Sequence, residues 1–263
     1  MPLRIAVCVK RVPDTAADKR LDPADFTLDR DSVESILNPV DEVAVEEALR
    51  LRERHGGEVT VVCAGPEAAR AQAIRKALSM GCDRAVHLQD DALHGSDALA
   101  VAYALAQVLR REPHDLVVCG AESTDARTSL VPPALAELLD LPALLFVRGV
   151  EVVDTTVTAR RETDRGEVVL EAQLPVLLGV RWGANEPRYP SFKGIMAAKN
   201  RPVESLTLAN AGIDPARIGA SGSLTKVLSF GTRSSARQRI IVDNSGGDAH
   251  LKLADFLQSQ KFV

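Results

Sequence analysis

The sequence predicts an α/β fold: a mainly parallel, doubly wound sheet with an antiparallel insertion and an extended C-terminal arm. Three observations predict it. Up to Pro142, short Val- and Ile-rich runs alternate with longer stretches of helical period. After Pro142, several strand-like runs follow one another with no helix between them. From about Asn210 the composition turns rich in Gly, Ser and Pro and loses any clear period.

The strands of the first region are LRIAVCV (residues 3–9), EVTVVCA (58–64), RAVHL (84–88) and DLVVCG (115–120), each bounded by Gly, Pro or charge. Between them, DEVAVEEALRLRERH sets Val45, Ala48 and Leu49 at three- and four-residue steps, leaving Glu46 and Glu47 as a solvated face. GPEAARAQAIRKALSMG and GSDALAVAYALAQVLRRE behave alike, opening on Pro-Glu or Ser-Asp and ending near Gly or Pro. Strands separated by helices mean βαβ crossovers and a parallel, Rossmann-like sheet. Beyond Pro142, ALLFVRGVEVVD, TTVTARRET, GEVVLEAQ and PVLLGVRW form an antiparallel excursion. TDRG supplies a hairpin turn, and the chain returns to the sheet at residues 175–181. Near the C-terminus RIIVDNSGGDAHLKL suggests a strand, a glycine turn and a last short helix.

Bulk properties exclude several function classes. A chain of 263 residues buries a full core, and 46% hydrophobic with 26% charged residues is ordinary for a soluble protein. A net charge of −4 argues against a dedicated nucleic-acid binder. The apolar runs fall short of a membrane span, and the N-terminal run is a strand rather than a leader, so a cytoplasmic protein is expected. Cys8, Cys63, Cys82 and Cys119 form no CxxC pair and are expected as buried small hydrophobes. The histidines show no metal-ligand spacing, and no metal is expected.

In a doubly wound sheet, ligands bind outside the carboxyl ends of the strands. The loops to inspect are therefore KRVPDT, AGPE and GAESTDARTSLVPPALAELL. The last crowds Ser123, Thr124, Asp125, Thr128 and Ser129 behind Gly120 and ahead of a helix, an arrangement suited to a phosphate. Such residues are more often helix caps than ligands. GxGxxG, the P-loop and GxSxG are all missing, so a site that holds a ligand is expected, not one that breaks bonds. The segment NEPRYPSFKGIMAAKNRP (185–202) puts two aromatics, Tyr189 and Phe192, in a Pro/Gly-rich loop of a chain with 3% aromatic residues. From residues alone, both fill a gap in the core.

These stretches together resemble the beta subunit of electron transfer flavoproteins over nearly the whole chain. VCVKRVPDT, LNPVDEVAVEEALRL, AGPEAARAQAIRKALSMGCDRAVHL and, most specifically, NEPRYPSFKGIMAAKNRP carry the likeness. The resemblance implies an adenine-nucleotide-binding domain over residues 1–209, and an arm over 210–263 that contacts an alpha subunit. It implies a heterodimer in which alpha holds most of the redox FAD and beta binds a structural AMP; some members hold a second FAD there and bifurcate electrons. The implied pocket uses Cys8, Asn38, Pro39, Val40, Asp41 and Ala64, with the loop Gly120, Ala121, Glu122, Ser123, Thr124, Asp125, Ala126, Arg127, Thr128, Ser129, Leu130 and Val131. Thr15 and Val40 fall where the family approaches the flavin. Against the family's commoner GKQAxDxDxxQxG, Asp125 is kept, while Ala121, Arg127 and Leu130 replace Lys, Asp and Gln. Backbone N–H groups, Thr128 and Arg127 are then left to meet a phosphate.

For the loop after NEPRY the resemblance implies docking onto dehydrogenases such as acyl-CoA dehydrogenases, with Phe192 as the apolar anchor and Lys193, Lys199 and Arg201 steering. Tyr189 is expected to be structural. The implied function is an electron carrier without a catalytic centre of its own, passing electrons toward the respiratory chain. A bifurcating subunit with a second FAD and a free-standing adenine-nucleotide-binding protein are the alternatives.

Overall fold

A computed structural model describes residues 1–231 and 240–262. The chain divides into a compact unit, Met1–Val227, and a second unit, Leu228–Val263. Within the first, β1 (Leu3–Cys8) leads through two short strands, β2 (Arg11–Pro13) and β3 (Ser35–Leu37), into α1 (Pro39–His55). Then follow β4 (Gly57–Ala64), a π-helical turn Arg70–Ile74 running into α2 (Arg75–Met80), β5 (Arg84–Leu88), α3 (Ala98–Leu109), β6 (Leu116–Gly120) and α4 (Val131–Leu139). The excursion is β7 (Ala143–Val153), β8 (Thr156–Thr163) and β9 (Gly166–Gln173), after which β10 (Val176–Val180) returns. Helix α5 (Phe192–Ala198), β11 (Val203–Leu206) and the short α6 (Gly219–Gly222) complete the unit. The second unit holds α7 (Ala249–Ser259), preceded by a turn in which Gly247 N–H donates to the Asn244 carbonyl over 2.9 Å. The strand expected over RII is not formed at Ile240 and Ile241; Arg239 lies outside the described residues.

The main sheet runs β11-β5-β4-β1-β6-β10-β7-β8-β9. From β11 to β7 every neighbouring pair is parallel, and β7-β8-β9 is antiparallel. Parallel strands need both faces covered, which is why their sequences are near-continuous apolar runs. Leu3, Ile5 and Val7 of β1 pack with α1 and α2 on one face, while Ala6 and Cys8 pack with α3 and α4 on the other. The chain moves from β1 outward to β4 and β5 on one side and reaches β6 on the other. The order therefore reverses between β1 and β6, and the crevice of such a sheet opens at that point, beyond the carboxyl ends.

One prominent sequence expectation fails in α1. Glu46 and Glu47 are buried rather than solvated, because the chain at 185–188 lies over them.

Candidate functional site

At the switch point, Cys8 and Cys119 sit opposite each other in register on β1 and β6. All four cysteines are buried free thiols, and burial pushes Cys63 and Cys82 up to about 12, so these two are inert as nucleophiles. Gly120 ends β6 where no side chain fits: a Cβ there would lie 2.3 Å from Asp41 Oδ1. That close approach brings the start of α1 against the exit of β6. Asn38 then ties the two together, its Nδ2 donating to the Glu122 carbonyl at 2.9 Å and its Oδ1 accepting from Thr124 N–H at 3.1 Å. Asp41 is buried behind it and accepts the Lys10 backbone N–H at 2.8 Å; burial raises its carboxyl to about 7.

Asp125 does not face outward as a free ligand. Its side chain is fully buried, accepting from Lys10 Nζ at 2.8 Å and from Arg30 at 2.7 and 3.2 Å. Burial alone would raise its carboxyl, but the Lys10 charge, the hydrogen bonds of Lys10 and Ser123 and the Arg30 charge outweigh it and hold it well below the usual carboxylate range. Lys10 and Arg30 thus hold Asp125 and its loop in place, partners that the sequence reading missed. Lys10 lay inside the quoted VCVKRVPDT, but its partner stands 115 positions away.

The rest of the loop stays open. Ala126, Arg127, Thr128 and Leu130 are exposed, with Ser129 and Val131 half-buried. Backbone φ is positive at Arg127 (50°) and Ser129 (51°) and Leu130 is right-handed; left-handed beside right-handed backbone is the conformation of an anion-binding nest. Helix α4 adds less than its position suggests, because Pro132 and Pro133 have no N–H in its first turn. Thr124 Oγ1 is buried without a hydrogen-bond partner among the described residues, a polar atom whose environment calls for one. Ala121 is buried and Glu122 and Ala64 half-buried at the rim. Val40 and Pro39 are held in or against the core at the start of α1, while Thr15 is exposed beyond β2.

The second cluster surrounds NEPRY. Asn185 Nδ2 donates to Glu47 Oε2 at 3.0 Å and to the Val43 carbonyl at 3.1 Å. Arg188 makes a two-pronged contact with buried Glu46 at 2.7 and 3.1 Å and reaches Glu53 at 2.5 Å. Burial would raise Glu46, but its bonds from Arg188 and Arg50 prevail and lower it. Pinned this way, the chain enters α5 through Ser191, whose Oγ caps it by accepting Gly194 N–H at 3.1 Å. Gly194 lets α5 lie on the end of α2: a Cβ there would be 2.5 Å from the Ser79 carbonyl.

Phe192 is the first residue of this helix and 81% exposed. Tyr189, expected to be structural, is 94% exposed, with Lys76 Nζ 5.9 Å from its ring centre. The core-filling reading of both aromatics is overturned. Ile195 and Met196 extend the exposed apolar face, and Lys193 and Lys199 stand beside it. Arg201 is half-buried and bonded to Asp83 at 3.3 and 3.4 Å.

Sheet order and crossovers define a doubly wound α/β protein. Residues 25–211 match the model of the electron transfer flavoprotein domain. The chain is 44% identical to the electron transfer flavoprotein subunit beta of Mycobacterium leprae over 98% of its own length and 99% of the relative's. It is 39% identical to the subunit beta of Thermoanaerobacterium thermosaccharolyticum, covering 99% and 100% of the two chains. For the subunit beta of Megasphaera elsdenii the identity is 40%, over 86% of each. The chain belongs to the electron transfer flavoprotein family, among its beta subunits. Among the described residues, no helix is long and apolar enough to cross a membrane.

Proposed function

We propose that this chain is the beta half of a heterodimer that shuttles electrons from acyl-CoA and other dehydrogenases toward the respiratory chain in the cytoplasm. In this reading the switch-point crevice holds a structural AMP. Thr124 Oγ1 and the N–H groups of residues 126–131 take the phosphate, and Arg127 lies alongside. The buried hydroxyl without a partner is the feature that fits such a ligand. Asp125, Lys10 and Arg30 hold the loop in shape and do not touch the nucleotide. The alpha subunit carries the FAD, which supplies the redox chemistry, and the beta chain contributes packing from around Thr15 and Val40. The C-terminal arm beyond Val227, with Leu251, Leu253 and Phe256 of α7 exposed, meets the alpha subunit.

Docking of dehydrogenases falls to the exposed face of α5 and its entry loop. The observation that carries this is Phe192 and Tyr189 standing exposed on a segment that Arg188 and Asn185 pin firmly to α1. An exposed aromatic on a rigid support loses little freedom on burial, which is what makes an anchor. Lys193 and Lys199 favour an acidic partner surface and chiefly raise its on-rate.

Phe192→Ala tests the anchor. It is expected to weaken dehydrogenase docking by roughly 2 kcal/mol while leaving thermal stability and nucleotide content unchanged. Unchanged docking by a folded Phe192→Ala complex removes the anchor role. Acid release of ligands from the purified heterodimer tests the crevice: one FAD and one AMP are expected, two FAD would make it a bifurcating subunit, and no adenylate would empty the proposal.

A further inference from the structure

Residues 20–29 form a small hairpin of their own on the connection between β2 and β3. Leu21 bridges Leu28, Asp22 N–H donates to the Thr27 carbonyl at 2.8 Å, and Asp29 N–H to the Arg20 carbonyl at 3.0 Å. Asp22 and Asp25 accept N–H groups two residues ahead, which shapes the tip. Its base is fixed. Buried Arg11 donates to the Arg30 carbonyl at 2.9 Å and to Gln72 on the π-helical turn, and Arg30 pairs with Asp125.

Two further contacts fasten the hairpin at separate places. Lys19 Nζ donates to the Thr124 carbonyl at 3.2 Å, in the loop after β6. Asp25, at the tip, meets His94 Nε2 at 2.6 Å, in the loop after β5. In the sheet, β5 and β6 flank β4 and β1. The segment is thus fastened to the loops after both outer strands, on either side of the two inner ones, which end at Cys8 and Ala64. The fastenings differ in kind: Arg30 and Asp125 are half-buried and fully buried, whereas the side chains of His94 and Asp25 are 68% and 41% exposed.

We propose that residues 20–29 are a strap across the crevice, hinged at Arg11 and Arg30 and latched by Asp25 on His94, and that the strap opens for an adenylate to enter or leave. The proposal rests on the reading of the crevice as a nucleotide site. It assigns to His94 and Asp25 a gating role without contact to the nucleotide. An exposed contact of this kind is weak, so the latch governs the rate of exchange more than the affinity.

Exchange of bound AMP for added radiolabelled AMP, measured on the purified heterodimer, tests this. Asp25→Ala and His94→Ala are each expected to speed exchange roughly 2- to 5-fold. The double variant should do no more than either alone, since both remove one latch. Conversely, an Asp25→Cys, His94→Cys pair bridged by a short bismaleimide should slow exchange about tenfold or more, as a closed lid does. The native thiols of this chain are buried, and wild-type heterodimer treated with the same reagent is the control. A heterodimer that holds AMP but exchanges it equally fast when loosened and when tethered overturns the strap alone. A heterodimer that neither holds nor takes up AMP overturns the crevice reading and the strap with it.

Discussion

Two buried carboxyls of the same crevice, Asp41 and Asp125, are driven in opposite directions by their surroundings. An unfolded aspartate titrates near 4, whereas folded Asp41 does so at about 7 because burial penalises its charge. The folded state therefore holds this proton more tightly. Its contribution is fully present below about pH 4 and is lost as pH rises through about 7. Asp41→Asn keeps an acceptor for Lys10 N–H and removes the titration, so urea unfolding of the variant should lose that downward slope, worth at most about 4 kcal/mol. Asp125 has the opposite sign: its folded value is depressed, so its contribution holds above about pH 4 and fades as acid protonates it. Asp125→Ala should cost about 2–3 kcal/mol at pH 7, the worth of hydrogen bonds to charged groups, and progressively less toward pH 2. A variant that loses equal stability at both pH values would show the Lys10 and Arg30 pairs to be idle.

Helix α5 depends on two devices far apart in the sequence, and each can be tested separately from the anchor it carries. Arg188→Ala leaves buried Glu46 with Arg50 at 2.8 Å and the backbone N–H of residue 188 at 3.2 Å, and should cost about 2 kcal/mol in stability as well as weakening docking, whereas Phe192→Ala should weaken docking alone. Gly194→Ala drives a methyl group into the Ser79 carbonyl and should displace α5 at a cost of about 1–3 kcal/mol, seen as a lower melting temperature. The parallel strands, β7 to β10 and their TDRG hairpin were legible in the sequence, because Val/Ile runs and turn residues are local signals. Strands β2, β3 and β11, at 3, 3 and 4 residues, were not, being too short to show a period. The strap was hidden for another reason: its turns are made by aspartates that look like solvated loop. Glu46 and Glu47 were misjudged because helical spacing reports which side of a helix is polar, not whether another segment covers it. Asn185 and Arg188, which do cover them, lie 138 and 142 positions on, and only the fold brings them there.

For the molecule as a whole, both hydrophobic clusters, among the described residues, have their members within the first unit, the last being Ile218. A chain ending at Val227 should therefore fold with a cooperative melt close to that of the full chain, yet fail to co-purify with an alpha subunit if the arm does the gripping. Retained co-purification would transfer that task to the body of the sheet. Raising ionic strength should slow dehydrogenase association through Lys193 and Lys199 while barely changing dissociation. The two sides of the sheet are not equally guarded. Strand β11 closes one side with four residues, but β9 closes the other with eight, and Val168 and Val169 stand exposed on it between Glu167 and Glu171. Such a border is a template for another strand, and two glutamates are modest protection. Recombinant chain kept alone at high concentration should slowly precipitate as β-rich aggregates, and Val169→Lys should keep it clear by light scattering.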